Sequence, residues 1–128
     1  MQNALLVGLG SALGGMARYG VAYGFAARYG TGFPVGTLVA NITGSFLIGL
    51  FFAVSGPDAK WPLGTGGKLF FMTGLMGGYT TFSAFSLETV NLLKAGQGGL
   101  AAGYTVGSLA PCLVAAWLGL LAGQMLSR

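Results

Sequence analysis

The sequence predicts an all-α membrane protein that crosses the bilayer four times. Only 6% of the 128 residues are charged, whereas 54% are hydrophobic, and the mean hydropathy is +0.75. A water-soluble domain carries roughly a quarter charged residues, so this chain has too few to keep a surface solvated by water. We therefore expect a single membrane domain, residues 1–128, whose surface faces mostly lipid.

Four apolar segments have the length that a transmembrane helix needs. The apolar core of a bilayer is about 30 Å thick and takes roughly 20 helical residues. The predicted spans cover residues 5–25, 34–55, 69–92 and 101–126, and the connectors between them hold charged residues, glycines and prolines. No water-soluble domain fits between spans this close.

The first span combines closely spaced glycines with one arginine. Gly10 and Gly14 form a small-xxx-small pair, which lets two helices cross at short distance. Similar pairs occur in the other spans: Ala40 and Gly44, Gly74 and Gly78, Gly103 and Gly107. Arg18 lies near the end of the first span and either snorkels to the interface or holds positive potential at the mouth of a pathway.

Polar stripes run along the second and fourth spans at a spacing of four residues. They consist of Thr37, Asn41 and Ser45, and of Tyr104, Ser108 and Cys112. The two amide donors of Asn41 are poorly satisfied by the carbonyls of its own helix. Asn41 therefore either joins two helices by hydrogen bonds or binds a ligand or ion in a pore.

The third span, residues 69–92, is the least regular. Two adjacent glycines precede a run of hydroxyl residues and predict a helix that is broken near Gly77-Thr81. Backbone groups freed by a break cannot stay unpaired in hydrocarbon, so they must line a cavity or bind an ion.

Two aromatic residues and a carboxylate follow the predicted break. Phe82 and Phe85 share one face of the second half-helix and either pack against lipid and core or turn their positive ring edges toward an anion. Glu88 either belongs to a polar network or vestibule near the break, or is an interfacial carboxylate near Lys94.

Basic residues are distributed evenly between the two sides of the membrane. One side collects Lys60, Lys68 and Arg128, and the other collects Arg28, Lys94 and, if it reaches its interface, Arg18. Because orientation follows such charges, the chain could insert both ways, and oppositely oriented copies could pair. The alternative is a monomer or a parallel oligomer. No basic cluster suggests a nucleic-acid partner.

Three motifs make the sequence similar to a known family. They are Gly14-Gly15-Met-Ala-Arg18-Tyr19; Gly36-Thr37-Leu-Val-Ala-Asn41, with Gly44 and Phe46-Leu-Ile-Gly49; and Gly77-Gly78-Tyr-Thr80-Thr81-Phe82-Ser83-Ala-Phe85-Ser86-Leu-Glu88. The third motif is highly specific. Along essentially the whole chain, the sequence resembles the small bacterial fluoride channels of the Fluc/CrcB family.

The resemblance implies a dual-topology, antiparallel homodimer in the bacterial inner (plasma) membrane, with two pores that export cytoplasmic fluoride passively down its electrochemical gradient. It also implies a sodium ion at the dimer centre, held by the backbone carbonyls of Gly77 and Thr80. By the same resemblance the pore residues are Asn41, Phe82, Phe85, Ser83, Thr37, Tyr104 and Ser108, and the vestibule residues are Arg18 and Glu88. Cys112 departs from the family, which often has a hydroxyl there, and sulfur is a weak donor.

Other functions fit the sequence less well. A small multidrug transporter needs a carboxylate inside the membrane, and the first span has no Asp or Glu. A structural subunit of a larger membrane complex would leave Asn41 and the break without a use. An enzyme is not expected, because the chain has no His and its two carboxylates, Asp58 and Glu88, are not paired on one helix.

Overall fold

The computed structural model describes all 128 residues, and every regular element in it is helical. Helix α1 runs from Gln2 to Tyr29 and α2 from Val35 to Val54. Helix α3 begins as an α-helix at Thr65–Lys68, continues as a π-helix at Leu69–Met76 and ends in the turn Gly77–Tyr79. Helix α4 spans Phe82–Lys94 and α5 spans Gly98–Leu126.

Glycine, proline and threonine determine where these helices begin and end. Gly30 follows α1 with φ 78°, a left-handed conformation that only glycine adopts without strain. Pro34 immediately precedes α2, and a second left-handed glycine, Gly96 with φ 75°, separates α4 from α5. Thr81 caps α4, because its hydroxyl oxygen accepts a hydrogen bond from the Ala84 amide at 3.2 Å.

Three helices, α1, α2 and α5, are long and apolar enough to cross a membrane alone. They match the first, second and fourth predicted spans, although α1 extends beyond the predicted residues 5–25 at both ends. The third crossing consists of α3 and α4 together, since neither half has the roughly 20 residues that a bilayer core requires. The prediction of an all-α membrane protein with a broken third helix is therefore confirmed.

Helices α1 and α3 cross so closely that only glycine fits between them. A Cβ atom on Gly14 would collide with the carbonyl oxygen of Leu75, and one on Gly78 would lie 2.8 Å from the Cα atom of Ser11. A second crossing joins α2 to α5, where a Cβ on Gly49 would lie 2.9 Å from the Leu120 amide nitrogen. Close backbone contact of this kind stabilises helix pairs in lipid.

Gly103 and Gly107 do not take part in any such crossing. Nothing lies within 4 Å of the position of a Cβ atom at either residue. The expectation that this pair marks a tight contact is wrong within the subunit, and both glycines leave an open groove on α5 instead.

The exterior of the subunit is apolar. Only 16 of 128 residues are buried, and large hydrophobic side chains such as Leu113 and Trp117 are mostly exposed. A water-soluble protein of this size rarely exposes so many large apolar side chains, whereas lipid solvates them. A small core of Phe85, Leu92, Ala101 and Tyr104 joins α4 to α5.

Candidate functional site

The third crossing is interrupted at Thr80 and Thr81, which both have extended backbone conformations. Gly77 and Gly78 precede the interruption and still belong to the last helical turn of α3. The break therefore lies at the end of the predicted segment Gly77-Thr81. Because the two residues are extended, backbone groups on both sides lose their helical partners.

Asn41 pairs with the freed backbone of Thr81. Its side-chain oxygen accepts from the Thr81 amide at 2.8 Å, and its side-chain nitrogen donates to the Thr81 carbonyl at 3.0 Å. This two-bond contact fastens the break to α2. One N–H of the Asn41 amide is not used in the pair and can still donate to a ligand.

Arg18 lies against the break, within α1 and away from the connectors. Its Nε donates to the Gly78 carbonyl at 3.2 Å, and 11 residues, or about 16 Å of helix, separate it from the end of α1. Arg18 therefore does not count among the connector charges. Three basic residues remain on one side, Lys60, Lys68 and Arg128, against Arg28 and Lys94 on the other.

A cavity of about 300 Å³ opens beside the break, between α2, the break itself and α5. We call it the break cavity. No charged side chain lines it. Its polar lining is Asn41, Ser45, Thr80, Thr81, Ser108 and Cys112, and its aromatic lining is Phe82 and Phe85. The two polar stripes predicted from the sequence thus meet across one space.

Ser108 is the most informative residue of the break cavity. It is only 4% exposed, and its hydroxyl oxygen is buried without any hydrogen-bond partner. A buried polar group left unpaired costs roughly 1–3 kcal/mol, so native structures rarely keep one without a use. The hydroxyl is available to a ligand in the cavity.

The two phenylalanines of the cavity have different surroundings. Their ring centroids lie 5.5 Å apart, yet Phe82 is 72% exposed whereas Phe85 is buried. Phe85 packs edge-on against the Tyr104 ring at 5.1 Å. Phe85 is thus held in one orientation by the core, while Phe82 projects from the surface of the subunit.

A second polar group lies further along the same helices. The Thr37 hydroxyl donates to one Glu88 oxygen at 2.7 Å, and the Tyr104 hydroxyl donates to the other at 3.1 Å. We call Thr37, Glu88 and Tyr104 the Glu88 triad. Thr37 and Glu88 also line a smaller cavity of about 220 Å³ near the connector between α1 and α2.

The structure thus divides the predicted site residues into separate groups. Asn41, Phe82, Phe85 and Ser108 line the break cavity, Thr37, Tyr104 and Glu88 form the triad, and Arg18 caps α3. Ser83 does not line the cavity, and its hydroxyl lies 3.3 Å from that of Thr81. Gly77 is exposed and lies in the last turn of α3, and Thr80 is half-buried and lies in the break itself.

Sequence reasoning did not assign Ser45, Thr81 or Cys112 to the site, although all three line the cavity. The spacing of the polar stripes indicates that Ser45 and Cys112 belong to the site. Ser45 lies one helical turn after Asn41, and Cys112 lies one turn after Ser108, each on the same helix face. Thr81 is recognisable for a different reason. It is a hydroxyl residue immediately before an apolar helix, which is typical of an N-cap.

Together, the fold and the site define a small all-helical membrane protein with an uncharged, polar cavity at a broken helix. The chain belongs to the CrcB family: residues 5–120 match the family described as CrcB-like protein, Camphor Resistance (CrcB). This confirms the resemblance read from the three sequence motifs.

Several bacterial proteins are similar to nearly the whole chain. It is 50% identical over 122 residues to the fluoride-specific ion channel FluC of Opitutus terrae, a match that covers 95% of this chain and 92% of that protein. It is 46% identical to the FluC protein of Methylocella silvestris, with coverage of 90% and 88%. The FluC protein of Coxiella burnetii is 44% identical, with coverage of 97% and 99%.

Proposed function

We propose that the protein is a fluoride-selective channel of the bacterial plasma membrane that exports cytoplasmic fluoride passively down its electrochemical gradient. The observation that carries the proposal is the unpaired Ser108 hydroxyl, buried at a cavity that offers hydrogen-bond donors and no charge. The similarity to proteins named fluoride-specific ion channels supports the same ion. No enzyme chemistry is required.

The chemistry of the break cavity suits a small, strongly hydrated anion. A pore for such an ion must replace its water shell with donors, and the Ser108 hydroxyl and the free N–H of Asn41 can supply two of them. The Phe82 and Phe85 rings can add their positive edges without a full charge. Because neither Lys nor Arg lines the cavity, the anion is held weakly enough to leave.

Tyr104 connects the break cavity to the Glu88 triad. Its ring packs against Phe85, which lines the cavity, and its hydroxyl bonds Glu88. The triad and its small cavity then form the vestibule at one end of the pathway, and the stripe from Tyr104 to Ser108 leads into the break cavity. Arg18 contributes by stabilising the break at the Gly78 carbonyl.

The shape and charge of the subunit support an antiparallel homodimer with two pores. The break cavity opens on the surface and Phe82 is exposed, so one subunit does not enclose a pathway. The connector charges differ by only one residue between the two sides, which favours insertion in both orientations. Two opposed copies would bring their breaks together and cover this surface.

The break also has oxygen atoms suited to a sodium ion at the dimer centre. The hydrogen bonds that join the break to the rest of the chain leave the carbonyl oxygens of Gly77 and Thr80 without a donor. Carbonyl oxygens are hard ligands of the type that such a cation prefers. One chain supplies only these two carbonyl oxygens, whereas two chains would supply four. The site therefore fits the dimer better than the monomer.

Anion efflux from liposomes that contain the purified protein tests the main proposal. We expect rapid release of fluoride and almost none of chloride, measured with ion-selective electrodes against protein-free liposomes. Equal release of the two halides, or release of neither, would exclude a fluoride-selective channel.

Prolonged removal of sodium tests the central ion separately. After dialysis into a sodium-free buffer we expect slower fluoride efflux, which returns when sodium is added but not when N-methylglucamine is added. Full efflux in sodium-free protein would argue against the ion while leaving the fluoride pathway in place.

A further inference from the structure

Two sulfur-bearing side chains border the break cavity from different helices. Cys112 belongs to α5 and is the only cysteine of the chain, with a free thiol. Met76 belongs to α3 and is only 5% exposed. The cavity thus has a thiol on one wall and a thioether on another.

The neighbourhood of Cys112 contains a second feature that points to a ligand. Ser108 precedes Cys112 by one helical turn, lines the same cavity and has a buried hydroxyl without a partner. No carboxylate lines the cavity, so a hard divalent ion would find no anionic oxygen ligand there. Thiolate and thioether sulfur instead select soft metal ions.

We propose that the break cavity is also a binding site for a soft, thiophilic metal ion such as Hg²⁺, and that this ion closes the fluoride pathway. The Cys112 sulfur forms the bond to the metal and the Met76 sulfur is the second ligand. The thiol loses its proton to the buffer as the S–Hg bond forms, giving R–S–Hg⁺ and H⁺ with no change of oxidation state. The Met76 sulfur shares a lone pair and loses no proton.

The bound ion closes the pathway for an electrostatic reason. The cavity normally holds an anion by uncharged donors, which lets the anion leave. A metal cation fixed at Cys112 adds a full positive charge in the same space, so an entering anion is bound tightly and not passed on. This closure rests on the proposed channel function, whereas the binding of the metal does not.

Two measurements on the full-length protein test the proposal. The first is the amount of mercury retained by the detergent-purified protein after desalting, where we expect one ion per thiol and none with Cys112→Ser. The second is fluoride efflux from proteoliposomes in chloride-free buffer with micromolar mercuric nitrate. We expect the wild-type rate to fall at least about tenfold and to recover with dithiothreitol, each variant being compared with its own untreated rate.

A relocated thiol provides the matched control. Val114 lies two residues beyond Cys112 on the exposed face of α5 and does not line the cavity. The double variant Cys112→Ser, Val114→Cys should retain mercury but keep its untreated efflux rate. In Met76→Leu, mercury should still bind but be removed by roughly tenfold less dithiothreitol, because one soft ligand is lost.

The outcomes separate the two proposals. Any of three results would overturn the metal site in the pathway. In the first, Cys112→Ser retains as much mercury as the wild type. In the second and third, mercury blocks efflux through Cys112→Ser, or through the double variant with the relocated thiol, as strongly as through the wild type. If untreated wild-type protein moved no fluoride, the channel proposal would fail, and mercury retention with its dependence on Cys112 would still decide the binding site.

Discussion

The break cavity and the Glu88 triad are built from similar residues but differ in how their polar groups are satisfied. In the triad both carboxylate oxygens of Glu88 accept a hydroxyl hydrogen bond from within the chain. In the break cavity the Ser108 hydroxyl has no partner, and Asn41 keeps one free N–H. The polar groups of the triad therefore stabilise the fold, whereas those of the cavity remain available to an ion.

This difference gives the two regions different responses to mutation. Removal of a satisfied group leaves its partner unpaired and destabilises the protein, while removal of an unsatisfied group relieves a desolvation penalty. A triad variant should therefore lower thermal stability with little change in fluoride flux, whereas a Ser108 variant should lower flux without lowering stability. Four sets of variants test this contrast, from the largest expected change in flux to the smallest.

Asn41→Leu should have the largest effect, because Asn41 serves the fold and the cavity at once. The variant leaves the Thr81 amide and carbonyl unpaired at about 1–3 kcal/mol each, or at least about 2 kcal/mol together, which corresponds to a loss of flux of at least about thirtyfold. Thermal unfolding in detergent and fluoride efflux should both show the loss. Ile42→Leu, at the next position of α2, is the control, and an equal loss there would contradict the assigned contact.

The phenylalanine pair should show about a tenfold loss of flux in each single variant to Ile, since an aromatic contact contributes up to about 1.5 kcal/mol. Only Phe85→Ile should also lower the unfolding temperature, because Phe85 packs against Tyr104 and Phe82 is exposed. Size-exclusion chromatography monitors assembly. Unchanged flux in both variants would move the pathway elsewhere.

Ser108→Ala should lower flux by about fivefold, the equivalent of one hydrogen bond of about 1 kcal/mol to the ion. The unfolding temperature should stay the same or rise, because an unpaired buried hydroxyl is removed. Ser108→Thr, which keeps the hydroxyl, should retain more flux than Ser108→Ala. A destabilised Ser108→Ala would show that the hydroxyl has a structural partner.

Tyr104→Phe should change flux least, by less than about twofold, yet lower stability clearly. One Glu88 oxygen loses its donor, and a hydrogen bond to a charged group contributes about 1.5–3 kcal/mol, whereas the ring keeps its packing against Phe85. Calorimetric or fluorescence-detected unfolding measures the loss. A stability equal to that of the wild type would show that the triad is not the satisfied network described above.

The sequence predicts the number of helices and the presence of the break better than their exact bounds. The bounds of α2, Val35–Val54, differ from the predicted residues 34–55 by one residue at each end. Helix α1 extends past the predicted residues 5–25 because a helix continues beyond the apolar core that hydropathy detects. In the sequence, Gly77, Gly78 and the hydroxyl residues that follow them predict the break. Gly78 instead permits the crossing with α1, and the chain departs from the helix at the following threonines.

The contacts that complete the site could not be read from local patterns. Asn41 and Thr81 are 40 residues apart, and Arg18 and Gly78 are 60 residues apart, so both pairs depend on how the helices pack. The sequence does not decide whether Asn41 joins two helices or donates to an ion in a pore. The structure shows that Asn41 joins α2 to the break and that one N–H of its amide remains unbonded. The π-helical part of α3 was also unforeseen, since its residues are those of an ordinary apolar helix.

The interruption between α3 and α4 has an electrical consequence. The cut creates two helix ends inside the membrane, with partial negative charge at the end of α3 and partial positive charge, roughly half an elementary charge, at the start of α4. The guanidinium group of Arg18 neutralises the negative end through the Gly78 carbonyl. The positive end, at Thr81 and Phe82, borders a cavity that contains no acidic side chain. The backbone dipole of α4 thereby contributes positive potential at the break cavity, and this contribution does not depend on pH.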